Sequence, residues 1–332
     1  MIDSHVTDAP ATELIVIGAS AGGLQPLRTI MEALPADLNA AILVVLHIPS
    51  TGNSVLPKIL ARSGALEVVA AEEDVAIEPG RVIVGRPDRH LLVIGGRACV
   101  DRGPRENGHR PAIDPLFRSA AAAYGAACCG VILSGTRDDG TAGLAEIKAH
   151  GGVALVQDPD EALYPGMPDS AIAGAAVDAV LPVAALAAEL ERLVAGRGQV
   201  ERRDGDRGGR REEILTITCP ECGGVLTEGA EGGAPHFTCH VGHAYSPDNL
   251  VAEHAEAVER AMWTAARSLE DRATLLGRMA ARAHRAGNPR SARRFDQAAQ
   301  AATEQVHTIR AAIAALDDAA VSMTGDAEDG TE

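Results

Sequence analysis

Glu13-Leu-Ile-Val-Ile-Gly18-Ala19-Ser20-Ala21-Gly22-Gly23 is an apolar run of strand length that breaks into a glycine-rich turn with one serine at its tip. An amphipathic segment follows, so the pattern predicts a strand running into a helix, with a hydroxyl at the helix N-terminus. Backbone N–H groups at such a junction can receive negative charge. Ser20 is open to three readings: a helix cap, part of a phosphate cradle, or a nucleophile.

The same alternation continues to about residue 195. Short apolar runs at Leu14–Ile17, Ala41–Leu46, Arg81–Val84, Leu91–Ile94, Gly130–Leu133, Val153–Val156 and Ala179–Leu181 read as strands. Between them, helices are predicted over Gly23–Leu34, Val55–Arg62, Ile113–Tyr124, Thr141–His150, Pro168–Ala175 and Val183–Val194. Fully apolar strands between helices imply a doubly wound, mostly parallel α/β sheet of Rossmann-like form, covered on both faces. Arg81–Val84 and Leu91–Ile94, joined by Gly85-Arg-Pro-Asp-Arg89, read as a small antiparallel hairpin added to that sheet. In an open α/β sheet, function gathers at the C-terminal ends of the strands.

Composition narrows the classes. Apolar residues form 46 % of the 332 but aromatics only 2 %, so Ala, Val, Leu and Ile must build the core. A net charge of −16 argues against general nucleic-acid binding, which needs a basic face. The longest apolar stretches are strand-sized and too short to span a bilayer, so no membrane insertion is expected. Met-Ile-Asp-Ser-His-Val-Thr-Asp lacks the basic and apolar regions of a signal peptide, and a cytoplasmic protein is expected. Cys99, Cys128 and Cys129 lie in or beside apolar segments and read as small buried thiols. In a reducing compartment no disulfides are expected.

Beyond the α/β part (13–195, after a disordered 1–12), residues 196–213 are charged and glycine-rich, and predict a flexible linker. A cysteine/histidine module follows at 214–246. Ser246-Pro247-Asp248 then opens a long helix, with serine as cap, proline at the first helical position and an acid in the first turn. Val251, Ala255, Val258, Met262, Ala265 and Leu269 form one apolar stripe. After a break at Gly287-Asn-Pro289, a second runs from Phe295 through Ala299, Ala302, Val306, Ile309 and Ile313 to Leu316. Two such stripes predict an antiparallel helical hairpin over 247–318, suited also to homodimerisation as a coiled coil. Residues 319–332 read as a disordered acidic tail.

Four strand ends carry chemistry: Ser20 after the first, His47 after the second, Ser134-Gly-Thr-Arg-Asp138-Asp139-Gly140 after the Gly130–Leu133 run, and Asp158 after Val153–Val156. A serine needs a base to take its proton and an acid to orient that base, and histidine is the natural base near neutrality. A dinucleotide-binding reading is weakened in detail. Its fingerprint requires glycine where Ser20 stands and an acid where the second strand ends in His47. Gly18-Ala-Ser20-Ala-Gly22 also fits a nucleophile elbow, but α/β-hydrolases order their residues serine, acid, histidine, unlike this chain.

Gly18–Gly23, Leu46-His-Ile-Pro49, His109-Arg-Pro-Ala-Ile-Asp-Pro-Leu-Phe-Arg-Ser119, Leu133–Gly140 and Gly166-Met-Pro168 occur in the order and rough spacing of five motifs. By them, residues 13–195 resemble the bacterial chemotaxis protein-glutamate methylesterases, the CheB family. The resemblance implies Ser20 as nucleophile, His47 as base and Asp139 as third triad member, with the amides of Ala21 and Thr136 at the oxyanion and Met167 flanking the site. It also implies a cofactor-free serine hydrolase acting on γ-glutamyl methyl esters of chemoreceptor-like coiled-coil proteins, with methanol released and receptor glutamines as possible second substrates. His109, Arg118 and Arg137 are candidate substrate contacts. Two departures stand out. Only about a dozen residues precede the first strand, so gating by a phosphorylated receiver domain in cis is not expected. Asp138 stands where the family often has asparagine, so two acids compete for the triad, and register favours Asp139.

Cys219-Pro-Glu-Cys222 and Cys239-His-Val-Gly-His243 give C-x2-C and C-x3-H separated by sixteen residues. Three soft thiolates and one imidazole at this spacing fit structural zinc in a ribbon, with His243 preferred over His236 or His240. An alternative to the enzyme is a non-catalytic adaptor that keeps the fold and assembles through the ribbon and hairpin. The intact Ser20, His47 and Asp139 set argues against it.

Overall fold

A computed structural model describes residues 13–51, 54–196, 213–231 and 234–325. The expected segments 1–12 and most of the 196–213 linker lie outside the described residues. Leu14 to Ile17 and Ala41 to Val45 carry no polar side chain and are at most 1 % exposed, so both faces of their strands require cover.

That cover follows from alternation along β1 (Glu13–Ala19). Ile15 and Ile17 point to one face, where they meet α1 (Leu24–Ala33), α2 (Leu56–Leu60) and α6 (Val183–Gly196) through Leu27, Ile30, Leu60 and Leu186. Leu14 and Val16 point to the other, against α3 (Ile113–Tyr124), α4 (Thr141–Ala149) and α5 (Gly166–Gly174) through Phe117, Leu144 and Ala171. The sheet also contains β2 (Ala40–Leu46), β3 (Glu67–Ala70), β5 (Arg81–Val84), β8 (Cys128–Ile132), β9 (Val153–Gln157) and β10 (Ala179–Leu181). Its seven strands are all parallel, in the order β10-β9-β8-β1-β2-β5-β3. The order reverses at β1, whose neighbours β2 and β8 are reached in opposite directions. Such a switch point leaves a crevice at the C-terminal edge.

The expected hairpin is corrected. β5 stays in the parallel sheet, whereas β6 (His90–Ile94) pairs with β7 (Arg97–Asp101) in a separate sheet with β4 (Val75–Ala76). Gly95 and Gly96, at φ 58° and 76°, supply the two left-handed residues that a tight hairpin turn demands. The longer Gly85–Arg89 connection instead carries the chain out of the parallel sheet. In the sequence β7 shows only Ala98-Cys99-Val100 between two charged residues, with small residues at two of the three positions where strands favour β-branched or aromatic ones.

The cysteine/histidine module is a four-stranded antiparallel sheet of β11 (Glu213–Thr218), β12 (Val225–Glu231), β13 (Ala234–Cys239) and β14 (Ala244–Tyr245). Its small core holds Leu226, Tyr245 and Leu250. The module belongs to the same compact unit as the α/β part, and this unit extends to Val251. A second unit, from Ala252 onward, is formed by α7 (Pro247–Arg285) past its first turn and by α8 (Pro289–Gly325). Within it Ala266, Ala280, Ala302 and Ile313 are buried, and Arg310 reaches Glu270 at 2.5 Å. Helix α8 runs to Gly325, past the expected end at 318. Ala319, Ala320, Val321 and Met323 continue a helix-compatible sequence before the acidic residues dominate. Among the described residues no helix is long and apolar enough to cross a membrane.

Gly18 is the tightest point of β1 beside the crevice, because a Cβ there would lie 2.4 Å from Ile113 Cγ2. Gly18→Ala is expected to destabilise the fold by about 1–3 kcal/mol through overpacking, read as a lower urea midpoint at unchanged slope.

Candidate active site

Parallel pairing brings the ends of β1 and β2 level, with Ala19 opposite Leu46. One residue on, His47 N–H donates to Ala19 O at 3.0 Å, while Ser20 N–H donates to Ser134 O at 3.0 Å. Ser20 is thus pinned between continuations of β2 and β8. It does not cap the following helix: the cap position of α1 is Gly23, and no side chain bonds there. The Ser20 hydroxyl lies instead 3.0 Å from His47 Nδ1.

The other ring nitrogen, Nε2, is 2.6 Å from Asp139 Oδ2. A carboxylate only accepts, so Nε2 carries the proton and Nδ1 is left to accept from Ser20. His47 and Asp139 side chains are 6 % and 1 % exposed. Asp139 receives four N–H groups: His47 Nε2 and Ile113 N (2.8 Å) on one oxygen, Asn107 Nδ2 (2.7 Å) and Asp114 N (3.2 Å) on the other. Ile113 and Asp114 open α3, whose cap residue Ala112 offers no side-chain bond, so Asp139 caps that helix from outside the local sequence. Burial opposes ionisation of Asp139. The His47 hydrogen bond and charge and the Ile113 amide outweigh it and hold the carboxyl below its ordinary range. Asp114 lies 2.9 Å from the same Asn107 amide and is pushed well up, by burial and then by the charge of Asp139.

Asp138, the competing acid, faces elsewhere. It accepts from the Ser246 hydroxyl at 2.7 Å and from Asn249 Nδ2. Burial pushes its carboxyl up to about 6.

The expected substrate contacts resolve unequally. His109 stacks on His47, ring centroids 3.7 Å apart and 16° from parallel. Burial and then His47 push it down to about 3, so at neutrality it is an uncharged wall behind the base. Both terminal nitrogens of Arg118 are engaged by Glu106 at 2.6 and 2.7 Å, bracing the loop that carries Asn107. Met167 lies beside the serine loop. It is fully buried, and a Cβ on Gly135 would lie 2.1 Å from its Sδ and 2.8 Å from Ser20 Cβ, so it packs under the serine loop and offers no free surface. Arg137 is half-buried with φ 66° and adds positive charge near His109. The amides of Ala21 and Thr136 make no hydrogen bond among the described residues and remain available to an oxygen.

Asn107 and Asp114 escaped the sequence reading, although one signal was present. Asn107-Gly108 sits between Glu106 and His109, which exchange backbone hydrogen bonds at 3.1 and 2.9 Å, and both central residues have positive φ (53° and 74°). Asn-Gly is the sequence mark of such a turn.

In the module, the ligand atoms of Cys219, Cys222, Cys239 and His243 lie within 4.8 Å of one another, and neither His236 nor His240 joins them. Cys219 Sγ and Cys239 Sγ are 3.6 and 3.5 Å from His243 Nδ1, and Cys222 Sγ is 3.7 Å from Cys239 Sγ. These separations match the edges of a tetrahedron that a zinc-sized ion would fill, with bonds of about 2.3 Å to sulfur and about 2.0 Å to nitrogen. Positive φ at Gly223 and Gly242 forms the two knuckles, and His243 Nε2 lies 3.6 Å from Glu221 as an outer partner.

A parallel α/β sheet with serine, histidine and aspartate hydrogen-bonded in series at its C-terminal edge has the arrangement of a serine hydrolase. The family model described as CheB methylesterase matches residues 15–190, and the chain belongs to the CheB methylesterase family. Two proteins of Anaeromyxobacter dehalogenans named protein-glutamate methylesterase/protein-glutamine glutaminase are similar. One is 39 % identical over 191 residues (58 % of this chain, 56 % of the relative), the other 42 % over 185 (55 % and 54 %). One of the same name from Cereibacter sphaeroides is 38 % identical over 193 residues (57 % and 52 %). The chain spans about half the length of these curated relatives. The crystal structure of the Thermotoga maritima CheB methylesterase catalytic domain is similar at TM-score 0.53 and 33 % identity, covering 55 % of this chain and 98 % of that one.

A histidine with a depressed folded-state pKa destabilises the fold as pH drops below its unfolded value, because only the unfolded chain then takes the proton. For His109 the window runs from about pH 6.5 down to about 3. Between pH 7.5 and 5 the wild type is expected to lose about 2 kcal/mol more stability than His109→Phe, which keeps the stack, in urea titrations at both pH values.

Proposed function

We propose that the chain is a cytoplasmic serine esterase that removes methyl groups from γ-glutamyl esters on chemoreceptor-like coiled-coil proteins, and that it also deamidates glutamines there. The observation that carries this reading is the hydrogen-bonded series Ser20–His47–Asp139, supported by the names of the relatives.

In this mechanism Ser20 Oγ attacks the ester carbonyl carbon as its proton passes to His47 Nδ1. Asp139 stabilises the imidazolium through Nε2–H, and the amides of Ala21 and Thr136 receive the oxyanion. Collapse of the tetrahedral species breaks the carbon–methoxy bond. His47 returns the proton, and methanol leaves a glutamyl ester on Ser20. Water, deprotonated by His47, then attacks that ester. The products are a free glutamate and the restored serine. With glutamine the leaving group is ammonia. The neutral His109 ring adds no positive charge that would compete with the imidazolium for Asp139.

The Cys219, Cys222, Cys239 and His243 set is proposed to hold one structural zinc. Metal binding would supply folding energy to a module too small for a large core, about 10–16 kcal/mol in zinc-finger peptides. Homodimerisation through the helical hairpin fits Val258, Trp263 and Leu275, which are exposed on α7.

Ser20→Ala is expected to lower methanol release from a methylated receptor fragment by roughly 10⁴-fold or more with an unchanged melting temperature. Undiminished release from the pure variant would sink the esterase assignment, and failure of the wild type to react with a fluorophosphonate would favour the adaptor. Metal analysis is expected to find about one zinc per chain, absent in a Cys219→Ser/Cys222→Ser double variant.

A further inference from the structure

Asn107 is fully buried and lies between the cysteine/histidine module and the site. On one side its Nδ2 donates to Asp139 Oδ1 (2.7 Å) and Asp114 Oδ2 (2.9 Å). On the other its Oδ1 accepts from Ser246 N at 2.8 Å and lies 3.1 Å from the Ser246 hydroxyl, and its backbone N–H donates to Ala244 O at 2.8 Å. The amide cannot be turned over, since Oδ1 would then face two carboxyl groups and Nδ2 a backbone N–H. Ala244 also donates to Arg105 O at 3.3 Å, so β14 is bonded to both sides of Glu106.

Ala244 follows His243 directly, and Ser246 lies three residues beyond that ligand. The backbone between Cys239 and His243 is held by two hydrogen bonds, Cys239 N to His243 O and Gly242 N to Cys239 O. A metal joining the two side chains would therefore fix the start of β14. Asp138 adds a second tie. Its side-chain partners Ser246 and Asn249 both follow β14 closely, so if the module moved away a buried carboxylate would lose them beside Asp139.

We propose that Asn107 is a positioning residue for Asp139 whose own place is set by the module, so that metal occupancy of the module governs the reactivity of Ser20. The proposal rests on the esterase reading for its effect on catalysis, and on geometry alone for the link between module and triad.

The test uses the full chain in four states: zinc-loaded, EDTA-stripped, Ser246→Ala and Asn107→Ala. Fluorophosphonate labelling of Ser20, metal content, and the low-field proton resonance of His47 Nε2–H are read in each. Stripped protein and both variants are expected to label roughly tenfold to hundredfold more slowly, the rate equivalent of losing one hydrogen bond to a charged group. Their low-field resonance is expected to shift. Zn²⁺ should restore the stripped wild type, while the two variants keep their zinc and stay slow. Wild-type labelling and an unmoved resonance in metal-free protein would overturn the proposal. Slower labelling with an unmoved resonance would also overturn it, since general loosening would then suffice. If the zinc-loaded wild type fails to label, the esterase reading falls and the resonance alone decides the link.

Discussion

Everything at the crevice depends on keeping a charge inside the protein. Asp139 is 1 % exposed, and a carboxylate so placed is tolerable only where donors replace water. Four N–H groups do so, from three different segments: the His47 ring, the first turn of α3 and the Asn107 amide. The N-terminus of α3 matters most for placement. Its two amides belong to a helix packed across β1, so the carboxylate is referenced to the rigid core and not to its own loop.

From that anchor the geometry of the other two residues follows. A hydrogen bond of 2.6 Å to Asp139 leaves the imidazole little rotational freedom, and the stacked His109 ring closes one of its faces. Ser20 meets the remaining nitrogen because β1 and β2 are neighbours in register. The turn at Gly22, φ 74°, and Gly23 N–H to Ser20 O at 3.0 Å then hold the serine short of the helix. The ring is used with Nδ1 toward the serine, the reverse of the common triad, which places Nε2 there. This follows from the sheet: histidine and serine leave adjacent parallel strands at one level, and Asp139 arrives from the far side of β1.

Much of this was legible in the chain. Continuous apolar runs at Leu14–Ile17 and Ala41–Leu46 announced buried parallel strands, and the switch-point rule then pointed to Ser20, His47 and the loop at 134–140. Marginal strands were invisible. Val75–Ala76 has only two residues, and Arg97–Asp101 holds only Ala98, Cys99 and Val100 between two charged ends. Residue type alone does not reveal that Arg118 pairs with Glu106 or that Met167 packs against the serine loop. Asn107-Gly108 carried a readable turn signature, but its contact with Asp139 spans 32 residues of separation and no local pattern encodes it.

The adjacent aspartates show how one dipeptide serves two parts of the molecule. Asp139 sits at the N-terminus of α3. Asp138 sits at that of α7, accepting from Ser246, from Asn249 and from the Asp248 amide. Ser246, which the sequence suggested as the cap of α7, turns its hydroxyl to Asp138, and the aspartate takes over the capping role from the other segment. Two helix starts distant in sequence are thereby drawn to neighbouring residues, with Asn107 bridging Asp139 to Ser246. Burial and then the neighbouring charges of Asp248 and Asp139 oppose ionisation of Asp138, while its bonds to Ser246 and to the Asp248 amide favour it. These bonds tie the first turn of α7 to the loops that carry Asn107 and Asp139, although it lies beyond the α/β segment that holds Ser20, His47 and Asp139.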